Sequence, residues 1–340
     1  MKQYKAFSFG LLFILLLVSI VASTMLGGVT VPCTETVAIL LSALPFIELD
    51  YTTTYEKIIM QIRFPRVLVA GFVGAGLAVS GVVMQSIFRN PMADPGIIGV
   101  SSGGAFGGVV AIYFGFTAYG SFMIPLFGFL GAFVSLSIVY VISTSNGRTS
   151  ILTLLLTGVA ISSFLSACSS LIITYSNLAQ MQQILYWLMG DLNGRDWDHL
   201  KLMVLPIVVA CAIFYWYRQE LDILLLGEEE AKNLGINVQF TRNLLLVVAS
   251  LLTGVSVSLT GAIGFVGLIV PHMIRLLIGP SHRLLIPASV LGGGLFLIVA
   301  DLVSRLLIRP AELQIGIITA FFGAPFYIYL IILNKRKELG

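Results

Sequence analysis

The run Val67-Leu68-Val69-Ala70-Gly71-Phe72-Val73-Gly74-Ala75-Gly76-Leu77-Ala78-Val79-Ser80-Gly81-Val82-Val83-Met84 decides the fold class. It contains no charge, and none occurs between Arg66 and Arg89. A helix that crosses a hydrocarbon layer about 30 Å thick needs roughly 20 such residues, each rising about 1.5 Å. Comparable runs recur near residues 8–28, 64–86, 96–115, 121–143, 149–174, 200–217, 241–261, 262–278, 284–304 and 313–333. They do not alternate apolar and polar residues as barrel strands do. The expectation is an all-α, polytopic transmembrane bundle of about ten spans. It forms a single domain over residues 1–340.

Composition agrees. Hydrophobic residues make up 58% of the 340 and charged residues 10%, against about 25% charged in soluble domains. The first run follows Lys2 and Lys5, as a signal peptide would. Its apolar stretch over 6–28 is long for such a segment, and it is read as a retained helix. Cys33, Cys168 and Cys211 show neither metal spacing nor a disulfide framework and read as apolar fillers. No metal or cofactor is expected. The net charge of +3, with no basic stripe interleaved by aromatics, gives no footprint for nucleic acid.

Lys and Arg in the connecting segments set the orientation. With the N-terminus inside, the inner side receives Lys2, Lys5, Arg89, Arg148, Arg218, Lys232, Arg242, Arg275, Arg283, Lys335, Arg336 and Lys337. The outer side receives Lys57, Arg63, Arg66, Arg195, Lys201, Arg305 and Arg309. Both termini are therefore expected in the cytoplasm of a multi-pass cell-membrane protein. Residues 178–190 are too short and polar to span. They read as an interfacial or re-entrant helix with Tyr186 and Trp187 at headgroup level. Gly74, Gly81 and Pro91 recur at one constant displacement as Gly254, Gly261 and Pro271, the mark of an inverted-topology repeat. Small residues at helical spacing, such as Gly99/Gly103 and Gly103/Gly107, predict close helix contacts.

Several motifs have competing readings. Gly99-Val100-Ser101-Ser102-Gly103 matches a nucleophile elbow, which belongs on a strand-to-helix turn of a soluble sheet; small-residue packing explains it better here. In Asn90-Pro91-Met92-Ala93-Asp94-Pro95-Gly96, the prolines force a turn, and Asp94 suits an N-cap with Pro95 as first helical residue. Asp301 and Arg305, one turn apart, read equally as an intramembrane functional pair or as a local ion pair snorkelling to water. No further chain of carboxylates inside spans supports a proton relay. The polar island Gly227-Glu228-Glu229-Glu230-Ala231-Lys232-Asn233-Leu234-Gly235 reads as a short helix bracketed by glycines, with acids in its first turn. It lies on the expected cytoplasmic side, where a partner could grip it. No Walker P-loop occurs in the chain.

These residues together carry a resemblance. Arg63-Phe64-Pro65-Arg66, the Gly-rich run over 74–85, Asn90-Pro91-Met92-Ala93-Asp94-Pro95-Gly96, Tyr186-Trp187-Leu188-Met189-Gly190, Gly227-Glu228, Gly261-Ala262-Ile263-Gly264-Phe265, Pro271-His272, His282-Arg283, Ala300-Asp301 and Glu312-Leu313 resemble FecCD-type permeases. These are membrane subunits of ABC importers for iron-siderophores, haem and vitamin B12. The resemblance covers nearly everything after residue 60. It implies ten spans, a second permease subunit (identical or similar), two cytoplasmic ATP-binding subunits and an extracytoplasmic substrate-binding protein.

It also implies that a segment of about 221–238 couples to the ATPase through Gly227, Glu228, Glu229, Ala231, Leu234 and Gly235. Arg63, Arg66 and Arg305 would dock the binding protein. The triple Glu departs from the family's pattern. The expected function is a permease that makes and breaks no substrate bond, with a ferric siderophore as first cargo and haem or cobalamin next. An intramembrane hydrolase using Ser101 and a gradient-driven carrier are the competing classes.

Overall fold

The computed structural model describes residues 2–43, 46, 47, 49–145 and 148–338; the side chains of Lys2, Arg148, Lys335, Arg336 and Lys337 counted above lie outside that description. The chain opens with α1 (Lys2–Met25) and the short α2 (Cys33–Ser42). Next, α3 (Thr53–Lys57), a π-helical turn (Ile58–Arg63) and α4 (Phe64–Ile87) form one continuous helical stretch. α5 (Val100–Tyr113) and α6 (Met123–Ser143) make a hairpin. The two-residue strands β1 (Thr144–Ser145) and β2 (Arg148–Thr149) pair antiparallel and lead into α7 (Ile151–Tyr175). Then come α8 (Leu178–Leu188), α9 (Trp197–Trp216), and the short α10 (Arg218–Leu224) and α11 (Glu228–Asn233). The chain closes with α12 (Val238–Thr260), α13 (Val266–Ile278), α14 (His282–Leu306) and α15 (Ile315–Glu338).

Seven of these helices are long and apolar enough to cross a membrane. α5 and α13, of 14 and 13 residues, occupy two of the other three expected positions but are shorter, and α15, of 24 residues, occupies the third. α5 is short for a physical reason. Pro95–Ile98 winds as a 3₁₀ turn, and Gly99 takes a left-handed conformation (φ 84°) that separates it from α5. Asp94 does act as a cap, accepting from the Gly96 N–H at 2.7 Å, but it caps this turn and not the span.

α4 lies at the centre, with 83% of its apolar window buried. Lipid supplies no hydrophobic drive between helices, so contact depends on close backbone approach. A Cβ on Gly74 would sit 2.1 Å from the Gly293 carbonyl of α14, and one on Gly81 would sit 1.8 Å from the Gly267 carbonyl of α13. α5 meets α6 the same way, through Gly103 and Gly131. Pro271 lacks the N–H that would bond the Gly267 carbonyl within α13. Gln85 of α4 fills that place, its Nε2 donating to the carbonyls of Gly267 (3.3 Å) and Leu268 (3.1 Å).

α8 forms as expected, with an Asn177–Gln180 capping box. Tyr186 is exposed. Trp187 corrects the expectation: it is buried at 4% exposure, and its indole N–H donates to the Ala105 carbonyl at 2.9 Å. Gly108 leaves it room, since a Cβ there would meet the indole at 2.2 Å. The repeat positions occupy unlike settings. Gly81 is mid-helix in α4 while Gly261 ends α12, and Pro91 lies in a loop while Pro271 lies inside α13. α4–α7 have 24, 14, 21 and 25 residues and α12–α15 have 23, 13, 25 and 24, with the short helix second in each set. Phe265, at φ 70°, stands before α13 as Gly99 stands before α5.

Candidate functional site

Two polar clusters lie at opposite ends of the antiparallel pair α4 and α14. The first is a knob built from α10 and α11. Gly227 (φ 138°) and Gly235 (φ 83°) bracket α11 in conformations that L-residues rarely adopt. The end of α11 closes through Gly235 N–H to the Lys232 carbonyl and Ile236 N–H to the Ala231 carbonyl. Ala231 is fully buried and packs with Leu224 and Val238, so it holds the knob together from inside. Glu228 is pinned, accepting from Arg242 Nη1 at 2.6 Å. The same guanidinium donates through Nη2 to the Thr149 carbonyl (2.8 Å) and to Gln239 Oε1 (2.9 Å). The outer surface is left to Glu229, Glu230, Lys232, Leu226 and Leu234.

Behind the knob, Asp222 of α10 reaches α14. Its Oδ1 accepts from the His282 backbone N–H at 3.0 Å and lies 2.6 Å from His282 Nδ1. The other ring nitrogen lies 2.6 Å from Ser86 Oγ at the end of α4. Burial pushes the Asp222 carboxyl up, but the hydrogen bonds and charge from His282, with Ser281, outweigh it and hold it below its ordinary range.

The second cluster centres on Asp301, which is fully buried. Its Oδ1 accepts from Arg66 Nε and Nη2 at 3.0 and 2.9 Å, and its Oδ2 from Arg305 Nε at 3.0 Å. Arg66 Nη1 also donates to Glu312 at 2.8 Å. Arg305 donates to the carbonyls of Leu26 (3.0 Å) and Ser23 (2.9 Å). Arg63 donates to the carbonyls of Thr24, Met25 and Val29.

Thus Arg63, Arg66 and Arg305 do come together, but at 8%, 8% and 5% exposure they point inward. Arg305 does not snorkel; α1 carbonyls satisfy it instead. Glu312 and Arg309 are the exposed charges here. Asp301 and Glu312 offset Arg66 and Arg305, while Arg63 is met by backbone carbonyls alone, and this pairing keeps the buried charge tolerable.

Sequence reasoning found the knob and the Asp301–Arg305 pair. It did not single out Asp222, Ser86 or Arg242, because the partners of Asp222 and Ser86 lie 60 and 196 positions away and Arg242 reaches Glu228 and the Thr149 carbonyl across 14 and 93. A serine–histidine contact does exist, but on Ser86 instead of the proposed nucleophile Ser101. Among the described residues no group of three or more His, Cys, Asp or Glu could hold a metal ion.

The model of the FecCD transport family matches residues 15–333. The chain belongs to the FecCD transport family. This FecCD chain is 47% identical over 280 residues to the cobalamin import system permease BtuC of Halobacterium salinarum, covering 82% of this chain and 74% of the relative. It is 38% identical over 339 residues to the molybdate import system permease MolB of Haemophilus influenzae, covering 99% and 98%. A solved inward-facing ABC transporter described as of metal-chelate type superposes with a TM-score of 0.83 at 36% identity, covering 95% and 98%. This FecCD protein is accordingly the multi-pass permease subunit of an ABC importer, a transport subunit and not an enzyme.

Proposed function

We propose that this permease imports a bulky metal chelate, with a cobalamin-type corrinoid as first cargo. Support comes from the 47% identical relative, whose name states cobalamin import. A ferric siderophore, expected from the sequence, and haem are the competing cargoes. Two cytoplasmic ATP-binding subunits supply the energy, and an extracytoplasmic binding protein delivers the cargo. A second permease subunit completes the pathway. α7 supports this last point, since only 11% of its apolar window is buried within the chain, the least of the seven spans.

Ten crossings, related as an inverted repeat, place both termini and the knob in the cytoplasm. One observation carries the reading: a rigid, glycine-bracketed knob presents Glu229, Leu226 and Leu234 outward while Ala231 and Glu228 anchor it. The coupling residues are then Gly227, Glu228, Glu229, Ala231, Leu234 and Gly235. At the other end, Arg63, Arg66 and Arg305 hold the mouth in shape for the binding protein and meet it through the Glu312 edge.

Vesicles reconstituted with permease, ATPase and binding protein test this. Enclosed ATP should drive uptake of labelled cobalamin, and Leu234→Glu should abolish it without loss of the permease. Uptake of ferric siderophore alone would change the cargo. Uptake that persists without ATP on an imposed ion gradient would refute the motor.

A further inference from the structure

We infer that Asp222, His282 and Ser86 form the link through which the knob moves the far end of the bundle, with His282 as a positioning residue that makes α4 and α14 travel as one strut. The inference rests on the proposed docking of the knob to an ATPase.

The path is continuous in the structure. α11 packs on α10 through Ala231 and Leu224, with Ile223 and Ile236 alongside. α10 in turn touches both α4 and α14. Ser281, the residue before α14, makes no side-chain cap, so the cap comes from another element: Asp222 accepts the His282 N–H. A carboxylate suits that place because the helix dipole is positive there.

The imidazole then spans the gap between two helix ends. It is fully buried, with one nitrogen on Asp222 and the other on Ser86. A rigid ring with polar atoms on two edges fixes both distances at once, which a flexible chain cannot do.

The order Ser–His–Asp is that of a nucleophilic triad. Here Ser86 is 1% exposed and His282 0%, so no substrate reaches the hydroxyl. The arrangement is mechanical. It is also one of three clamps on the same pair. Gly74 and Gly293 bring the backbones into contact between the two ends of the pair. Arg66 and Asp301 tie the opposite ends. Ser86 and Arg66 are twenty residues apart on α4, about 30 Å along the axis, which matches the hydrocarbon thickness. Sliding α4 against α14 would break charged or buried bonds at both ends. A displacement of Asp222 therefore moves the two helices together.

Electron-spin distance measurements on the permease–ATPase complex test the link. The background carries Cys33→Ser, Cys168→Ser and Cys211→Ala. One label pair reports the knob (Asn233→Cys with Val141→Cys) and one the far end (Leu307→Cys with Tyr119→Cys); all four native side chains are exposed. ATP should shift both distances in the parent protein. With Asp222→Ala the knob should still shift, while the shifted fraction at the far end should fall about tenfold. Asp222→Asn, which retains an acceptor for the His282 N–H, should restore part of it.

His282→Gln is the second variant. It keeps a group near Ser86 and the backbone N–H that Asp222 accepts, but loses the ring's bond to Asp222 and with it the rigid span to Ser86, so the far-end shift should fall in the same direction as in Asp222→Ala; it decides the matter if Asp222→Ala does not assemble. A full far-end shift in either variant overturns the link. Absence of any ATP-dependent shift in the parent overturns the docking instead.

Discussion

At Asp301, two guanidiniums share one carboxylate that has no contact with solvent. Removing that charge leaves Arg66 and Arg305 facing each other across an apolar interior. Breaking a buried pair by deleting one partner costs about 3–5 kcal/mol. Asp301→Ala should therefore lower the thermal unfolding midpoint in detergent by several degrees, and Asp301→Asn, which keeps one acceptor oxygen but turns an NH2 toward the other guanidinium, by less. An unchanged midpoint for the Ala variant would show that the arginines are satisfied elsewhere.

Asp222 makes a pH-dependent counterpart. Its carboxyl is held below the ordinary range in the folded chain. The unfolded chain thus binds the proton more readily, and the stabilisation is complete above the ordinary carboxylate value of about 3.9. It is lost as pH falls through the lower folded value. The midpoint difference between the parent protein and Asp222→Asn should hold steady at neutral pH and shrink below about pH 4. At this scale the sequence was only half legible. The i,i+4 spacing of Asp301 and Arg305 is visible in any helix. The Arg66 partner, 235 positions away, is visible only once α4 and α14 are known to pack.

Among the elements, those set by hydropathy alone were readable. α6, α7, α9 and α14 begin and end within a few residues of the expected spans. Reading failed where backbone conformation overrides composition. Residues 96–115 carry no charge, yet Gly99 turns the chain and leaves a helix of 14 residues, about 21 Å long. A buried polar side chain also changes an element's meaning. Gln85 looked like one more residue of an apolar run, but it replaces the N–H that Pro271 withholds from α13.

Gln85→Leu would leave the Gly267 carbonyl unpaired in an interior where such a group costs about 1–3 kcal/mol. Gly81→Ala places a methyl against that same carbonyl and must separate α4 from α13. Both variants should lower the unfolding midpoint, Gly81→Ala the more because backbone and not a side-chain tip stands in the way. The reverse order would mean that the helices are spaced by something other than Gly81.

Across the whole molecule, the knob has two attachments, and they lead to different parts of the bundle. Asp222 leads to α4 and α14. Glu228 leads through Arg242 to the Thr149 carbonyl, where β2 gives way to α7. α7 is the span least enclosed within the chain and the one proposed to meet the second permease subunit, so the second attachment leads from the knob toward that subunit interface. No sequence pattern announces this, because the acceptor is a backbone carbonyl 93 positions from the arginine and any residue would supply it.

The island at 227–235 was nonetheless legible as a whole, since three consecutive acids do not sit within a lipid-facing span. Arg242→Met keeps the aliphatic stem and removes the bonds to Glu228, Thr149 and Gln239. The knob should still engage the ATPase, because Leu226, Glu229 and Leu234 are untouched. Molecules imported per ATP hydrolysed should fall about tenfold in reconstituted vesicles, while hydrolysis itself stays near the parent rate. If import and hydrolysis fall together, Arg242 serves only to shape the knob. If neither falls, α7 does not take its movement from this contact, and Asp222 alone carries the stroke.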